Sequence, residues 1–425
     1  MDNFLLSYLE EKYGVQKETP LYCKAQELLQ RLWQGSVCIP ADESLANSEA
    51  VGKKGEARPL IYHEGNLYIQ RYFVYQTRIL EKIKELKIHI ITGGPGTGKT
   101  TSLAKILKDR LNEKILLAAP TGKAALRMRE SLANQGIELE AKTLHRLLGG
   151  YNSLDAKIIA IDECSMIDLP MMSRLFDAVQ SDCDLYLLGD KNQLASVEAG
   201  SVFADICRVL GGTELTTNYR AKDAPGIAAL SRQILENSVE DFNNENVRHF
   251  ESYDFPDWHK KLFNAASSQE ALEFLKTFQI LCATKVGKNG AKHINEKLCE
   301  QARKENAKYI PIIITENNYQ LNLFNGDVGV KDREFAYFPG EKTFPVLTLP
   351  EHEGAFAITI HKSQGSEYER VAVVYPAQEM EREFLTRELL YTAITRAKKE
   401  CFIFGNREVL LNSCKRKIFR ASGIK

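Results

Sequence analysis

Eight consecutive residues, Gly93, Gly94, Pro95, Gly96, Thr97, Gly98, Lys99 and Thr100, combine glycines, a lysine and a hydroxyl in an order suited to holding a polyphosphate. Glycines let backbone N–H groups curl around a β-phosphate at a helix N-terminus, Lys99 reaches the β- and γ-phosphates, and the Thr100 hydroxyl ligates Mg²⁺. Thr101 continues the nucleotide-contacting run into the helix. The context is also right, because the apolar run from Ile88 to Gly93 precedes the loop and TTSLAKILKDRL follows it, giving strand, loop and helix. A tight structural turn is the competing reading, and eight fitting positions in this context speak against it.

Asp162 and Glu163 follow a second apolar run, so both carboxylates emerge at the carboxyl end of a sheet. Asp162 is placed to hold the Mg²⁺ shell and Glu163 to polarise the water that attacks the γ-phosphate. Taken alone, an acidic pair after a strand is as often a helix cap. The turn GDKNQL brings an amide, Gln193, to the same edge, where it can sense phosphate and water without changing charge. Arg220 in LTTNYR and Arg396 in YTAITRAKK are candidates to neutralise transition-state charge, and a surface ion pair is the bland alternative for each.

These groups need a scaffold. IHIITG, ILLAAP, IIAID and DLYLLGD are near-continuous apolar runs separated by helical segments, the pattern of a parallel sheet covered on both faces. FQILCAT, VAVVYP and CFIFG form a second series, so two α/β layers are expected. The division is 1–75 for a helical N-terminal adaptor, 76–222 for the first ATPase domain and 223–425 for the second. Within the second, about 309–357 alternates and carries turn glycines, which predicts a small antiparallel β insert. Residues 223–270 read as a polar, helical link between the layers.

The chain has 425 residues with 56 basic and 56 acidic side chains, a formal charge of zero. That balance excludes a protein that wraps nucleic acid through bulk positive charge, so any polyanion site is local. With 44% hydrophobic and 26% charged residues it is neither disordered nor collagenous. Nine scattered cysteines without a C-x-x-C pair fit a reducing cytoplasm. The start MDNFLLSYLEEKYG lacks the basic-then-apolar order of a signal peptide, and no apolar stretch is long enough to span a bilayer.

In order along the chain stand GGPGTGKT, APTGKAALRM, TLHRLLG, DECS, GDKNQL, NYR, LFNGDVG, TIHKSQGSEY and YTAITRAKK. This succession resembles the motif series of superfamily 1 helicases, most closely the RecD family, the alpha subunit of exodeoxyribonuclease V. The resemblance implies two RecA-like P-loop NTPase domains, an SH3-like module for the β insert, ATP and Mg²⁺ as cofactors, 5′ to 3′ travel on DNA, and RecB-like and RecC-like partners in double-strand break repair. It implies that Gln76 reads the adenine edge. It places Thr121, Lys123, His145, Asn325, Thr359, His361, Lys362 and Ser363 on single-stranded DNA. Gly365 and Glu367 would touch the nucleotide, and Arg396 would arrive from the second domain to complete its site.

One departure stands out. Only about nine residues, 149–157, separate Leu148 from the next strand at Ile158, where relatives commonly insert a strand-splitting pin. A full pin barely fits, which favours translocation over unaided unwinding. No further acidic cluster has metal-ligand spacing, so a nuclease would belong to a partner. Two rivals stay open: a stand-alone RecD-like helicase, and an ATP-driven regulatory subunit that switches a partner nuclease.

Overall fold

The computed structural model describes residues 2–149, 153–196, 198–254, 257–318, 320–377 and 384–425. The N-terminal region, expected to be helical, opens with two helices, Asp2–Tyr13 and Pro20–Trp33. Thr19 caps the second by accepting from the Tyr22 N–H, with Pro20 in the first turn, where a missing N–H costs nothing. A four-stranded sheet that the helical expectation missed follows them. Its strands are Cys38–Pro40, Val51–Gly52, Leu60–His63 and Asn66–Ile69. Glu64 and Gly65, both at positive φ (46° and 75°), make the two-residue turn between the last two.

The first large sheet has six parallel strands in the spatial order Thr213–Leu215, Lys87–Gly93, Asp184–Gly189, Ile158–Ile161, Ile115–Ala119, Ala141–Thr143. Alternate residues point to opposite faces. Ile90, Ile159, Ile161, Leu185 and Leu187 join one core, while Ile91, Leu117, Ile158, Tyr186 and Leu188 join another. Each fully buried aliphatic side chain is worth about 1.5–3 kcal/mol relative to exposure, so both faces must be covered by helices.

The second layer repeats the plan with five parallel strands in the order Val247–Phe250, Ala397–Phe404, Tyr368–Val374, Phe278–Cys282, Ala357–Thr359. Its faces divide the same way, Leu281, Val371, Val373 and Ile403 against Ile280, Ala372, Val374 and Phe402. The polar link thus contributes the edge strand Val247–Phe250 as well as helices. The insert is an antiparallel sheet of Ile310–Ile314, Val328–Lys331, Phe335–Phe338, Lys342–Pro345 and His352–Gly354.

After the helix Arg407–Lys415, residues 416–425 cross back to the first layer. Ala421 accepts from the Val37 N–H at 2.7 Å, and Ile424 is fully buried in the first core. Among the described residues, no helix is long and apolar enough to cross a membrane.

Candidate functional site

The strand Lys87–Gly93 delivers the loop to the first turn of the helix Lys99–Lys108. Gly96 and Gly98 take φ of 78° and 81°, in the left-handed region that a side chain opposes. Thr97 Oγ1 donates to the Gly94 carbonyl at 2.8 Å, closing the loop on itself. The Lys99 ammonium folds back and donates to the carbonyls of Gly93 (2.8 Å) and Gly94 (3.2 Å), bonds that phosphate oxygens can take over. Pro95 lies in the loop, and Thr100 and Thr101 stand in the first helical turn with Thr101 exposed.

Strand order brings the carboxyl ends of three neighbours together, Gly93, Gly189 and Ile161. That is where parallel sheets bind ligands. Asp190 therefore sits between the loop and the acidic pair, with Oδ2 4.0 Å from where a Gly94 Cβ would lie. Burial raises its carboxyl. Burial first, and then the charge of Glu163, lift Asp162 to about 6, while Lys99 pulls it down. Glu163 has φ 53°, ψ 41°, a left-handed backbone that is costly for a side-chain-bearing residue and typical of active sites. Its N–H donates to Asp162 Oδ1 at 2.8 Å.

The second layer closes this edge. The helix Arg387–Ile394 lies over the 190–194 turn: the Tyr391 hydroxyl donates to Asp190 Oδ2 (2.9 Å), and Thr392 Oγ1 accepts from the Leu194 N–H (3.0 Å). Gln364 Nε2 donates to the Leu194 carbonyl at 2.8 Å. Arg396, 1% exposed, donates Nε to the Thr392 carbonyl, Nη1 to the Ser366 carbonyl and Nη2 to Gln193 Oε1 at 2.6 Å. All three acceptors are neutral. A guanidinium buried on neutral acceptors is destabilised, and burial lowers its pKa.

Of the residues expected on the DNA strand, those at the start of the helix Gly122–Ala133 stand against the second layer and the insert. Thr121 caps the helix Gly122–Ala133, and a Cβ on Gly122 would meet the Phe324 ring at 3.1 Å, so the LFNGDVG turn of the insert abuts this helix start. Lys123 Nζ lies 5.9 Å from the Tyr368 ring centroid. Asn325 is exposed, Thr359 and His361 are half-buried, and Lys362 Nζ bonds Glu353 at 2.5 Å. His145 is exposed on the helix Leu144–Leu148, at the sheet edge formed by Ala141–Thr143.

Several expectations need correction. Gln76 is 2% exposed and accepts from the Gly423 N–H at 3.1 Å, so the 416–425 segment rather than an adenine uses its amide. Ser363 is fully buried and donates to the Ile360 carbonyl at 2.7 Å, which removes it from the strand-contacting set. Gly365 and Glu367, expected at the nucleotide, pack against the helix Gly122–Ala133. A Gly365 Cβ would sit 3.7 Å from Ala124, and the Glu367 carboxylate pairs with Arg127. The Arg220 side chain and residues 150–152 of the short pin region lie outside the described residues.

Comparison with known proteins agrees with this geometry. Residues 72–255 match the family model described as an AAA domain, and 354–404 the one described as a UvrD-like helicase C-terminal domain. The RecBCD enzyme subunit RecD of Mycolicibacterium smegmatis is 34% identical over 406 residues, covering 79% of this chain and 71% of that protein. The chain belongs to the RecD family. The subunit of the same name from Mycobacterium tuberculosis is 32% identical, covering 83% of this chain and 72% of that protein. The ATP-dependent RecD2 DNA helicase of Deinococcus radiodurans is 28% identical, over 78% and 48% respectively. The enzyme class is an ATP-hydrolysing DNA helicase.

Three residues escaped the sequence reading of this RecD-family chain. Tyr219, 62% exposed, donates its N–H to the Gly96 carbonyl at 3.0 Å and sets its ring 3.4 Å from a Gly98 Cβ position, a flat platform beside the phosphate loop. It stands next to Arg220 in the NYR motif, which was the available signal. Asp190 was passed over for Gln193 in the same turn. Arg127 lies four residues after Lys123 in APTGKAALRM, on the same helix face, where only the tertiary pairing reveals it.

Lys123 yields a pH prediction. Burial holds its ammonium down to about 8, with Asp327 opposing and Arg127 and Arg396 assisting. Below that value it is charged; above it the free protein loses the charge, while a bound phosphate favours keeping it. Affinity for oligo(dT), read by fluorescence anisotropy, therefore falls about 5- to 10-fold from pH 7 to pH 9. Lys123→Arg flattens that dependence, because a guanidinium stays protonated throughout. An unchanged pH profile in the arginine variant would remove Lys123 from the strand contacts.

Proposed function

We propose that this chain is an ATP-driven motor moving 5′ to 3′ along single-stranded DNA, acting with RecB-like and RecC-like subunits in double-strand break repair in the cytoplasm. The observation that carries the reading is the Arg396 to Gln193 bond, because a nucleotide site completed by two layers turns each hydrolysis into a cleft movement. The reading takes 76–222 and 223–425 as the two motor domains, the last ten residues returning to pack on the first, with 1–75 as an adaptor for partners. ATP would lay its phosphates in the 93–101 loop and its base against Tyr219. Glu163 would orient the attacking water, and Gln193 would report the γ-phosphate to Arg396.

Thr100 and Asp162 suit Mg²⁺. Both offer hard oxygen donors, and a carboxyl raised to about 6 by burial and a like charge is relieved by a divalent cation. Among the described residues, no cluster of three or more His, Cys, Asp or Glu could hold a metal on its own, which fits an ion that takes most of its ligands from phosphates and water. When bound, the ion would neutralise charge on the β- and γ-phosphates.

Thr121, Lys123, Asn325, Thr359, His361 and Lys362 would grip the strand through backbone contacts that tolerate any sequence. The nine residues of 149–157 support translocation over unaided strand splitting. Displacement assays on tailed duplexes, with partner subunits supplied, test the direction. Activity from a 5′ tail and little from a 3′ tail is expected; equal activity from both would end the polarity assignment.

A further inference from the structure

The helix Gly122–Ala133 faces the second layer at two points one turn apart. Lys123 lies against the Tyr368 ring, and Arg127 Nη2 pairs with Glu367 Oε1. The partners are consecutive residues, so one helix face grips one short run. That run also holds Arg396 from both sides, since the Ser366 carbonyl accepts from Arg396 Nη1 at 3.1 Å and the Tyr368 N–H donates to the Arg396 carbonyl at 2.9 Å. Glu367 is 6% exposed in its side chain and has Lys398 Nζ at 3.7 Å as a second cation. Arg127 is 40% exposed, on the cleft side, within the fields of Glu163 and Asp162.

We propose that Arg127 is a positioning residue for Arg396: by pairing with Glu367 across the cleft it seats the 366–368 run, whose backbone aims the Arg396 guanidinium at Gln193. The inference rests on the reading above that Arg396 completes the nucleotide site. It explains how one helix serves both ends of the cleft. Its Thr121 and Lys123 end meets the strand, its Arg127 turn meets the ATP side, and a shift of the helix on strand binding moves both contacts together. Lys398 remains beside the buried Glu367 carboxylate when Arg127 is removed, so the fold is expected to persist while the aim of Arg396 loosens.

The test is a kinetic cycle on the full chain with Arg127→Ala, Arg127→Lys, Glu367→Gln, Arg396→Ala and the paired combinations. Turnover is measured at saturating oligo(dT), with the ATP KM and the melting temperature beside it. Arg127→Ala and Glu367→Gln should each lower kcat about tenfold with KM within about threefold and unchanged melting, as expected for a transition-state interaction. Arg127→Lys should recover part of the loss. The double Arg127→Ala/Glu367→Gln should be no slower than its slower single, and Arg127→Ala should cost nothing further in an Arg396→Ala background. Multiplicative losses in either pair, wild-type kcat in Arg127→Ala, or a raised KM at unchanged kcat would each overturn the proposal. Wild-type turnover that ignores oligo(dT) counts against the motor reading instead, and the cycle is then read on basal turnover, where the same non-additivity is required.

Discussion

Lys99→Ala lowers ATP turnover by about three orders of magnitude, which corresponds to about 4 kcal/mol of transition-state stabilisation. The size follows from position. Lys99 is the first residue of its helix, behind a cap glycine at φ 81°, and its ammonium already reaches into the loop at 2.8 Å from the Gly93 carbonyl. Exchanging that carbonyl for β- and γ-phosphate oxygens places a full positive charge where negative charge moves during phosphoryl transfer. Lys99→Arg fails to rescue, because a planar fork cannot make the same point contact inside a closed loop. The fold is expected to persist, since the lost bonds go to carbonyls of a half-exposed loop. A coupled ATPase assay decides the matter, and turnover within tenfold of wild type would remove Lys99 from the phosphate site.

Arg396→Ala is expected to lower DNA-stimulated kcat by about two to three orders of magnitude, with the ATP KM changed by only a few-fold. The guanidinium touches Gln193 on the first layer and the Ser366 and Thr392 carbonyls on the second, so it is aimed before nucleotide arrives. Desolvation has already been incurred in folding, which is the condition under which a charge contributes most to a transition state. The same fact makes an unusual stability prediction. Removing a buried cation that bonds only neutral acceptors recovers its desolvation cost, but it leaves a cavity and less compensation for Glu163, Glu367 and Asp190, so the melting temperature falls by less than for an apolar side chain of that size. Arg396→Lys should resemble the alanine variant, since one ammonium cannot span three acceptors. A large rise in KM with kcat preserved would make Arg396 a ground-state binder instead.

The central strands were legible because burial on both faces demands unbroken apolar runs, and IHIITG, IIAID and VAVVYP have no other use in a folded chain. Edge strands were not. Ala141–Thr143, Thr213–Leu215 and Ala357–Thr359 are three residues long, and each pairs on one side only, so neither length nor pattern marks them. The N-terminal sheet escaped for a related reason: a Glu-Gly turn is a weaker signal than Asn-Gly for two positive φ values.

In the site, loop chemistry was readable because a phosphate cradle is local in sequence. The pairings that finish the site join Gln193 to Arg396, Arg127 to Glu367 and Gln76 to Gly423, residues far apart in the chain. No local pattern carries those. Gln76 shows this most clearly, since the family resemblance implied a base contact and the distant Gly423 N–H bonds its amide oxygen.

The most direct test of the account is ATP turnover by the wild-type chain with and without single-stranded DNA. On the proposed reading, in which strand and nucleotide share the cleft between the two layers, oligo(dT) should raise kcat by about tenfold or more. Turnover that is the same in both conditions would contradict the claim that this cleft couples ATP to movement along a strand.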